Sequence, residues 1–301
     1  MASLVTMAVD VNLIESARYA ACAIASAHGL SVSDAKLIGG YANIMIELHP
    51  LPIVARVAAS SLAARADGMW LAREVRVAEF LSESGALVTR PSPLLPLGPH
   101  RHGGLAMTFW ELVDVISAKV TPRAVGKRLH MLHKALASYS GELPLMGPIA
   151  EAWQLLEMPK HLNKIDPDQR HLVAQGIEYA RDQLSRREFD MRPLHGDAHH
   201  GNLLKTSKGL AWTDFEDALK GPLEWDLASL TASSYVFGTG RAAKAALQGY
   251  GAPFDQELVD LLVVARTLQA VAWALVLLQN PRDNSRFISR LEWLAERVAR
   301  Q

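Results

Sequence analysis

Two hydrophobic periods divide this chain, and one layer of structure cannot serve both. Residues 36–58 read as short strands, whereas apolar positions from residue 121 onward recur at three and four residues. The strand stretch breaks at Gly39-Gly40 and again at His49-Pro50-Leu51-Pro52, which predicts strands over 36–38, 43–48 and 53–58. Helices are expected on either side: 12–28, stopped by Gly29, and 63–84, where Leu71, Val75, Ala78 and Leu81 share a face. Four prolines between residues 91 and 99 impose an irregular or extended path, and the apolar run 105–109 suits one more strand.

The remainder is mostly helical. Thr121-Pro122 supplies an N-cap and a proline at the first helical position for a helix to residue 138. Further helices are expected over 149–157, 168–187, 223–236, 256–279 and 285–301. Residues 191–213 break the period. A short extended run there leads into a loop at His195-Gly196-Asp197, and segments 202–205 and 210–214 flank a Ser207-Lys208-Gly209 turn. The expected architecture is α+β, with a small antiparallel-sheet lobe over residues 1–111 and a larger, mainly helical lobe over 112–301.

Composition removes several classes of function. The 31 basic and 31 acidic side chains cancel, and they do so in each part: 8 against 9 over residues 1–111, and 23 against 22 over 112–301. Neither part offers the basic surface that a nucleic-acid partner requires. The single cysteine, Cys22, can build neither an internal disulfide nor a cysteine zinc site. The first eleven residues lack a basic leader region. The most apolar run, 270–278, falls short of the roughly 20 residues that cross a bilayer and reads as a buried helix. A cytoplasmic protein with no membrane partner is expected.

The loop and the hairpin carry the chemistry. Asp197 lies in a tight turn, Asn202 follows five residues later, and Asp214 stands twelve residues beyond that, past the hairpin. A loop carboxylate can take the proton of a substrate hydroxyl. An amide oxygen and a second carboxylate are hard ligands suited to Mg²⁺, which bridges nucleotide phosphates during in-line transfer. The pattern points to phosphoryl transfer.

The ordered string His195-Gly196-Asp197-x-His199-x-x-Asn202, then Asp214-Phe215-Glu216-Asp217, then Gly221-Pro222-x-x-Trp225-Asp226-Leu227 resembles the aminoglycoside phosphotransferase family. That family is itself similar to choline kinases and, more distantly, to protein kinases. The resemblance implies a two-lobed protein-kinase-like fold and transfer of the γ-phosphate from ATP with Mg²⁺, GTP staying open as donor. It implies that Asp197 is the catalytic aspartate, that Asn202 and Asp214 hold the metal, and that His195 and His199 shape the loop which Asp226 fastens. Residues 105–113 become the hinge, offering backbone groups around Phe109, Trp110, Glu111 and Leu112 to adenine.

Gly39 and Gly40 would let the backbone approach phosphates, although the chain has neither G-x-G-x-x-G nor a Walker A string. The kinase pattern places lysine on the third strand. Here Arg56 keeps the charge and can bind phosphate as a fork. Its expected helix partner is Glu74, with Glu79 as second choice.

The acceptor is a small molecule with a hydroxyl. The resemblance suggests an aminoglycoside or other antibiotic; an amino sugar, a choline-like alcohol or an amino alcohol is the alternative. Two rivals come from other classes. One is a metallohydrolase with zinc on His195, Asp197, His199 and His200; it leaves Asn202 and residues 221–227 without a role, and no histidine follows His200. The other is a kinase-like nucleotide-binding module without turnover, which rests on arginine standing in place of lysine at position 56.

Overall fold

The computed structural model describes residues 11–40, 43–58 and 68–298. Tyr41 and Ala42 of the first turn, the expected helical start at 63–67 and the last three residues of the final helix lie outside the described residues. The contacts divide the chain into two compact units, residues 1–117 with 204–216, and residues 118–203 with 217–301.

The first unit is built on a five-stranded antiparallel sheet. Its strands are β1 (Asp34–Gly40), β2 (Asn43–His49), β3 (Ile53–Ala58), β4 (His100–His102) and β5 (Leu105–Glu111), in the spatial order β1-β2-β3-β5-β4. Helix α1 (Val11–Ala27) covers one face. Its small residues Ala17, Ala20, Ala21 and Ala25 join Ile44, Ile46, Leu48, Ala55, Val57 and Phe109 in one core. Alternation in β2 leaves Met45 and Glu47 on the opposite face. Strand β3 is central and buried along its whole length, so Arg56, out of phase with Ala55 and Val57, is carried into the interior on the face away from α1. Helix α2 (Met69–Glu83) follows, with Trp70, Leu71, Val75, Ala78 and Leu81 buried. The glycine pair differs from the expected turn: Gly39 and Gly40 belong to β1 and pair with Met45 and Ile44, beside an irregularity after Leu37.

The second unit holds the helices α3 (Pro122–Leu136), α4 (Gly147–Glu157), α5 (Pro159–Leu162), α6 (Pro167–Ser185), α7 (Glu224–Phe237), α8 (Arg241–Tyr250), α9 (Gln256–Leu277) and α10 (Ser285–Val298). Thr121 caps α3 through the amide of Ala124, and Asp166 with Gln169 forms a capping box on α6. Helix α9 is apolar and long enough to cross a membrane by length and composition, with a mean hydropathy of 1.7, yet two-thirds of that window is buried inside the protein. It serves as the unit's central post, where each fully buried leucine or valine stabilises by about 1.5–3 kcal/mol.

Helix α8 was not anticipated by periodicity. It is short, bounded by Gly240 and Gly251, and packs on α3 so closely that a Cβ at Gly126 would lie 1.9 Å from the carbonyl oxygen of Ala246. A Cβ at Gly249 would likewise lie 2.0 Å from that of Arg123. Two further short strands, β6 (Arg192–Leu194) and β9 (Leu219–Gly221), pair antiparallel at the base of the loop containing Asp197. The hairpin β7 (Leu203–Thr206) and β8 (Gly209–Trp212) appears where the Ser207-Lys208-Gly209 turn places it.

Candidate active site

In the first unit, a cavity of about 420 Å³ opens on the face of the sheet away from α1. Gly39, Gly40 and Asn43 border it on one side; Trp110, Glu111, Leu112 and Val113 border it on another, with Arg56, Glu74, Asp214 and Glu216 also in its wall. The strand period explains which hinge residues reach it. Trp110 shares the face of Val54 and Arg56, whereas the Phe109 side chain points into the core beneath α1 and lines no part of the cavity. The amide of Glu111 donates to the Arg90 carbonyl and that of Leu112 to the Pro52 carbonyl. Val113 is therefore the hinge residue whose amide makes no backbone hydrogen bond among the described residues.

Arg56 gathers the acids of this cavity. Its guanidinium pairs with Glu74, reaches Asp214 Oδ1 at 2.8 Å and reaches Glu216 Oε2 at 2.5 Å. Glu74 is only 1% exposed, while Asp214 is a third exposed at the carboxylate. Asn43 Nδ2 adds a hydrogen bond to Glu216 Oε2 at 3.3 Å, and Arg73 donates to the Glu216 carbonyl. Asp214 has a left-handed backbone with φ 69°, a conformation that aspartate tolerates better than most residues and that recurs at functional sites. Three carboxylates thus converge on one arginine. Of the three, Asp214 has an oxygen open to a divalent cation: its Oδ1 is engaged by Arg56, and its second oxygen makes no hydrogen bond among the described residues.

In the second unit, Asp226 organises the loop that carries Asp197. Asp226 is fully buried at the start of α7. Its Oδ2 accepts from the His195 amide at 2.9 Å and its Oδ1 from the Gly196 amide at 2.8 Å. His133 Nε2 lies 2.9 Å from the same carboxylate, and His133 Nδ1 faces the Tyr250 hydroxyl at 2.9 Å. Burial and then the Asp226 charge push the Tyr250 hydroxyl up to about 12, so it remains a donor to His133. Trp225 closes the arrangement by donating to the Gly196 carbonyl at 2.7 Å. Gly196 itself has φ 89°, and a Cβ there would stand 1.8 Å from the Asp217 carbonyl oxygen; no side chain fits.

Asp197 projects from this fixed loop. Asn202 Nδ2 donates to its carbonyl at 3.0 Å and to its Oδ2 at 3.2 Å. This engages the amide nitrogen and leaves the Asn202 carbonyl oxygen available to a hard cation. His199 Nδ1 accepts from the Gly201 amide, which puts the ring proton on Nε2, 3.4 Å from Asp197 Oδ2. The Arg266 guanidinium, from α9, pairs with Asp197 Oδ1 and also contacts Gln269. Burial alone would raise the Asp197 carboxyl, but the Arg266 charge, followed by His199, outweighs it and holds the group well below the usual carboxylate range. The described residues contain no group of three or more His, Cys, Asp or Glu placed to share a metal ion. The zinc cluster of the rival metallohydrolase reading, His195, Asp197, His199 and His200, does not form: His195 is turned onto the Asp197 amide and His200 is exposed.

Sequence reasoning missed three participants: Arg266, His133 and Glu216 as a partner of Arg56. Arg266 and Gln269 did leave a signal. They are adjacent-turn polar residues within an otherwise apolar helix, and such residues are carried into a core only with partners.

A model of the phosphotransferase enzyme family matches residues 52–262. The LicA homolog of Metamycoplasma hominis is 24% identical over 180 residues, covering 60% of this chain and 68% of that protein. Among solved structures, the choline kinase LicA from Streptococcus pneumoniae superposes with a TM-score of 0.66 at 14% identity, covering 94% of this chain and 99% of that one. The amicoumacin kinase hAmiN, solved with AMP-PNP, Ca²⁺ and Ami, reaches a TM-score of 0.68 at 15% identity over 95% and 96% of the two chains. A GDP complex of aminoglycoside 2'-phosphotransferase-IIIa gives 0.60 at 16% identity over 93% and 98%. The fold is thus α+β and kinase-like.

Proposed function

We propose, on the premise that this chain belongs to the phosphotransferase enzyme family, that it moves the γ-phosphate of ATP onto a hydroxyl of a small molecule, with Mg²⁺ as the working metal. The observation that carries this reading is the Asp197 carboxylate. It is ionised, held by Arg266, His199 and Asn202, and set on a loop that Asp226 fixes through two buried backbone amides.

Asp197 orients the acceptor hydroxyl and takes up its proton as the bond to phosphorus forms. A carboxyl held this far below its ordinary range is a weak base, which suits a loose transition state in which the hydroxyl proton leaves late. His195, His199 and Asp226 keep the loop in place and do no chemistry. Gly39 and Gly40 give the phosphates access to backbone. Arg56 neutralises them while its pairing with Glu74 fixes its direction. Trp110 packs against the base, and the hinge over Glu111, Leu112 and Val113 presents the Val113 amide to it; the Phe109 side chain is set aside from this role by its place in the core.

Asn202 and Asp214 would supply metal ligands, an amide and a carboxylate oxygen that are left unengaged. The metal supplies charge neutralisation across the phosphates. In this reading residues 1–111 bind nucleotide, residues 112–301 carry the catalytic loop and the acceptor region, and the enzyme works in the cytoplasm. The relatives act on choline and on aminoglycosides, which sets alcohols of modest size as the first acceptors to try.

Asp214→Ala tests the metal assignment. Magnesium–ATP affinity, measured by titration calorimetry, should weaken at least about tenfold, with the heat signal for ATP in EDTA unchanged. Equal affinity for wild type and variant in the presence of Mg²⁺ removes Asp214 from the metal site. A screen for ADP release over small alcohols tests the reaction itself; nucleotide affinity without release on any alcohol favours a binding module.

A further inference from the structure

Two arginines without an acidic partner among the described residues stand on α10, which packs on α7 and on α9, the helix whose Arg266 pairs with Asp197; the band they form is not part of the site described above. Arg286 and Arg290 project from one face of α10, a turn apart, with their guanidinium carbons 5.3 Å and 5.2 Å from the ring centroid of Phe237 on α7. Among the described residues, no carboxylate lies within ion-pair distance of either arginine. Like charges four residues apart oppose helix formation, so the pair exists against a local cost.

The band extends to the catalytic loop. Burial, and then the charges of Arg266 and Arg286, push the Arg290 guanidinium down to about 10. The Arg286 charge also reaches His200 of that loop. Three guanidiniums therefore stand near one another, and of these only Arg266 has an acidic partner among the described residues, Asp197. Phe237 is partly exposed between the two outer arginines, which gives the region one apolar wall.

We propose, resting on the phosphotransferase reading, that the acceptor alcohol is an anion, with a carboxylate or phosphate that Arg286 and Arg290 bind while its hydroxyl lies against Asp197. A guanidinium pair is suited to an oxyanion because two planar forks can each donate paired hydrogen bonds. The same band repels choline and polycationic aminoglycosides. The chain then differs in acceptor charge from relatives whose fold it shares, and the difference resides in α10. Arg266 remains a positioning residue for Asp197 and does not hold the anion.

The test is a charge-matched acceptor panel: glycerol 3-phosphate and glycerate as anions, glycerol as the neutral alcohol, and choline and kanamycin as cations, read by ADP release. The anionic alcohols should exceed glycerol in kcat/KM by at least about tenfold. Arg286→Gln/Arg290→Gln should raise KM for the anions by about 30-fold or more, while Arg290→Lys retains part of the preference and Arg297→Ala, stacked on Trp293 at 4.8 Å, leaves it intact.

Preference for choline or kanamycin overturns the inference and leaves phosphoryl transfer standing. An unchanged anion-to-neutral ratio in the double variant overturns it too. So does a matching loss of ATP affinity, which would assign the arginines to the nucleotide. If no panel member is phosphorylated, the reaction reading is what fails, and thermal shifts decide the site. A Tm rise with glycerol 3-phosphate or glycerate that vanishes in the double variant supports an oxyanion site, the two probes separating phosphate from carboxylate. No shift with either anion overturns it.

Discussion

Asparagine at position 197 should lower kcat by about 10³-fold while the nucleotide Kd stays within twofold. The substitution keeps the size of the side chain: its one oxygen can face Arg266, while Asn202 keeps its hydrogen bond to the backbone carbonyl of residue 197. What disappears is the negative charge that, in the proposed function, orients the acceptor hydroxyl and receives its proton. Steady-state ADP release and nucleotide titration separate the two effects, and wild-type turnover by the variant would remove Asp197 from the chemistry.

The pH profile follows from the same ion pair. A carboxyl held below its ordinary value stays charged as pH falls through 5 and 4. Its stabilisation by Arg266 is complete above the ordinary carboxylate range and is lost only at still lower pH. Between pH 5 and 8, kcat/KM should therefore show no acidic limb from Asp197. Arg266→Gln removes the opposing charge and leaves the upward push of burial, so an acidic limb should move up into that window.

What could be read from the chain, and what could not, divides by distance along it. The loop at Asp197 and its turn to Asn202 were legible because five residues of contiguous chain hold them, and the hairpin to Asp214 because its turn is local. Arg266 shows locally only as a charge just ahead of the apolar run 270–278. Its partner lies 69 residues away, and nothing local announces a contact of that range. Helix α8 escaped because glycines bound it and Gly249 lies within it; Gly249 serves contact with α3, a tertiary fact. Along β5 the period of two was visible, but which parity faces the cavity depends on pairing with β3. Phe109 and Trp110 could not be sorted until Ala55 and Val54 stood opposite them.

Arg56→Met should destabilise the protein by about 3–5 kcal/mol. The reason lies in burial more than in the number of contacts. Glu74 is 1% exposed, and without Arg56 its carboxylate would remain charged in the interior or have to take up a proton. Asp214 and Glu216 are more accessible, so solvent screens their share of the loss. Removing both members of the buried pair, Arg56→Met with Glu74→Met, should restore most of the stability, because two apolar side chains of similar volume avoid the desolvation of two ions. Nucleotide affinity should not return with it. Denaturant unfolding and ATP titration on the single and double variants separate these roles. Recovery of both in the double variant would make Arg56 a structural cation and assign the phosphates to another group; recovery of neither would show that the fork to Asp214 and Glu216, not the pair with Glu74, carries the stability, by holding the sheet to the segment after the hairpin.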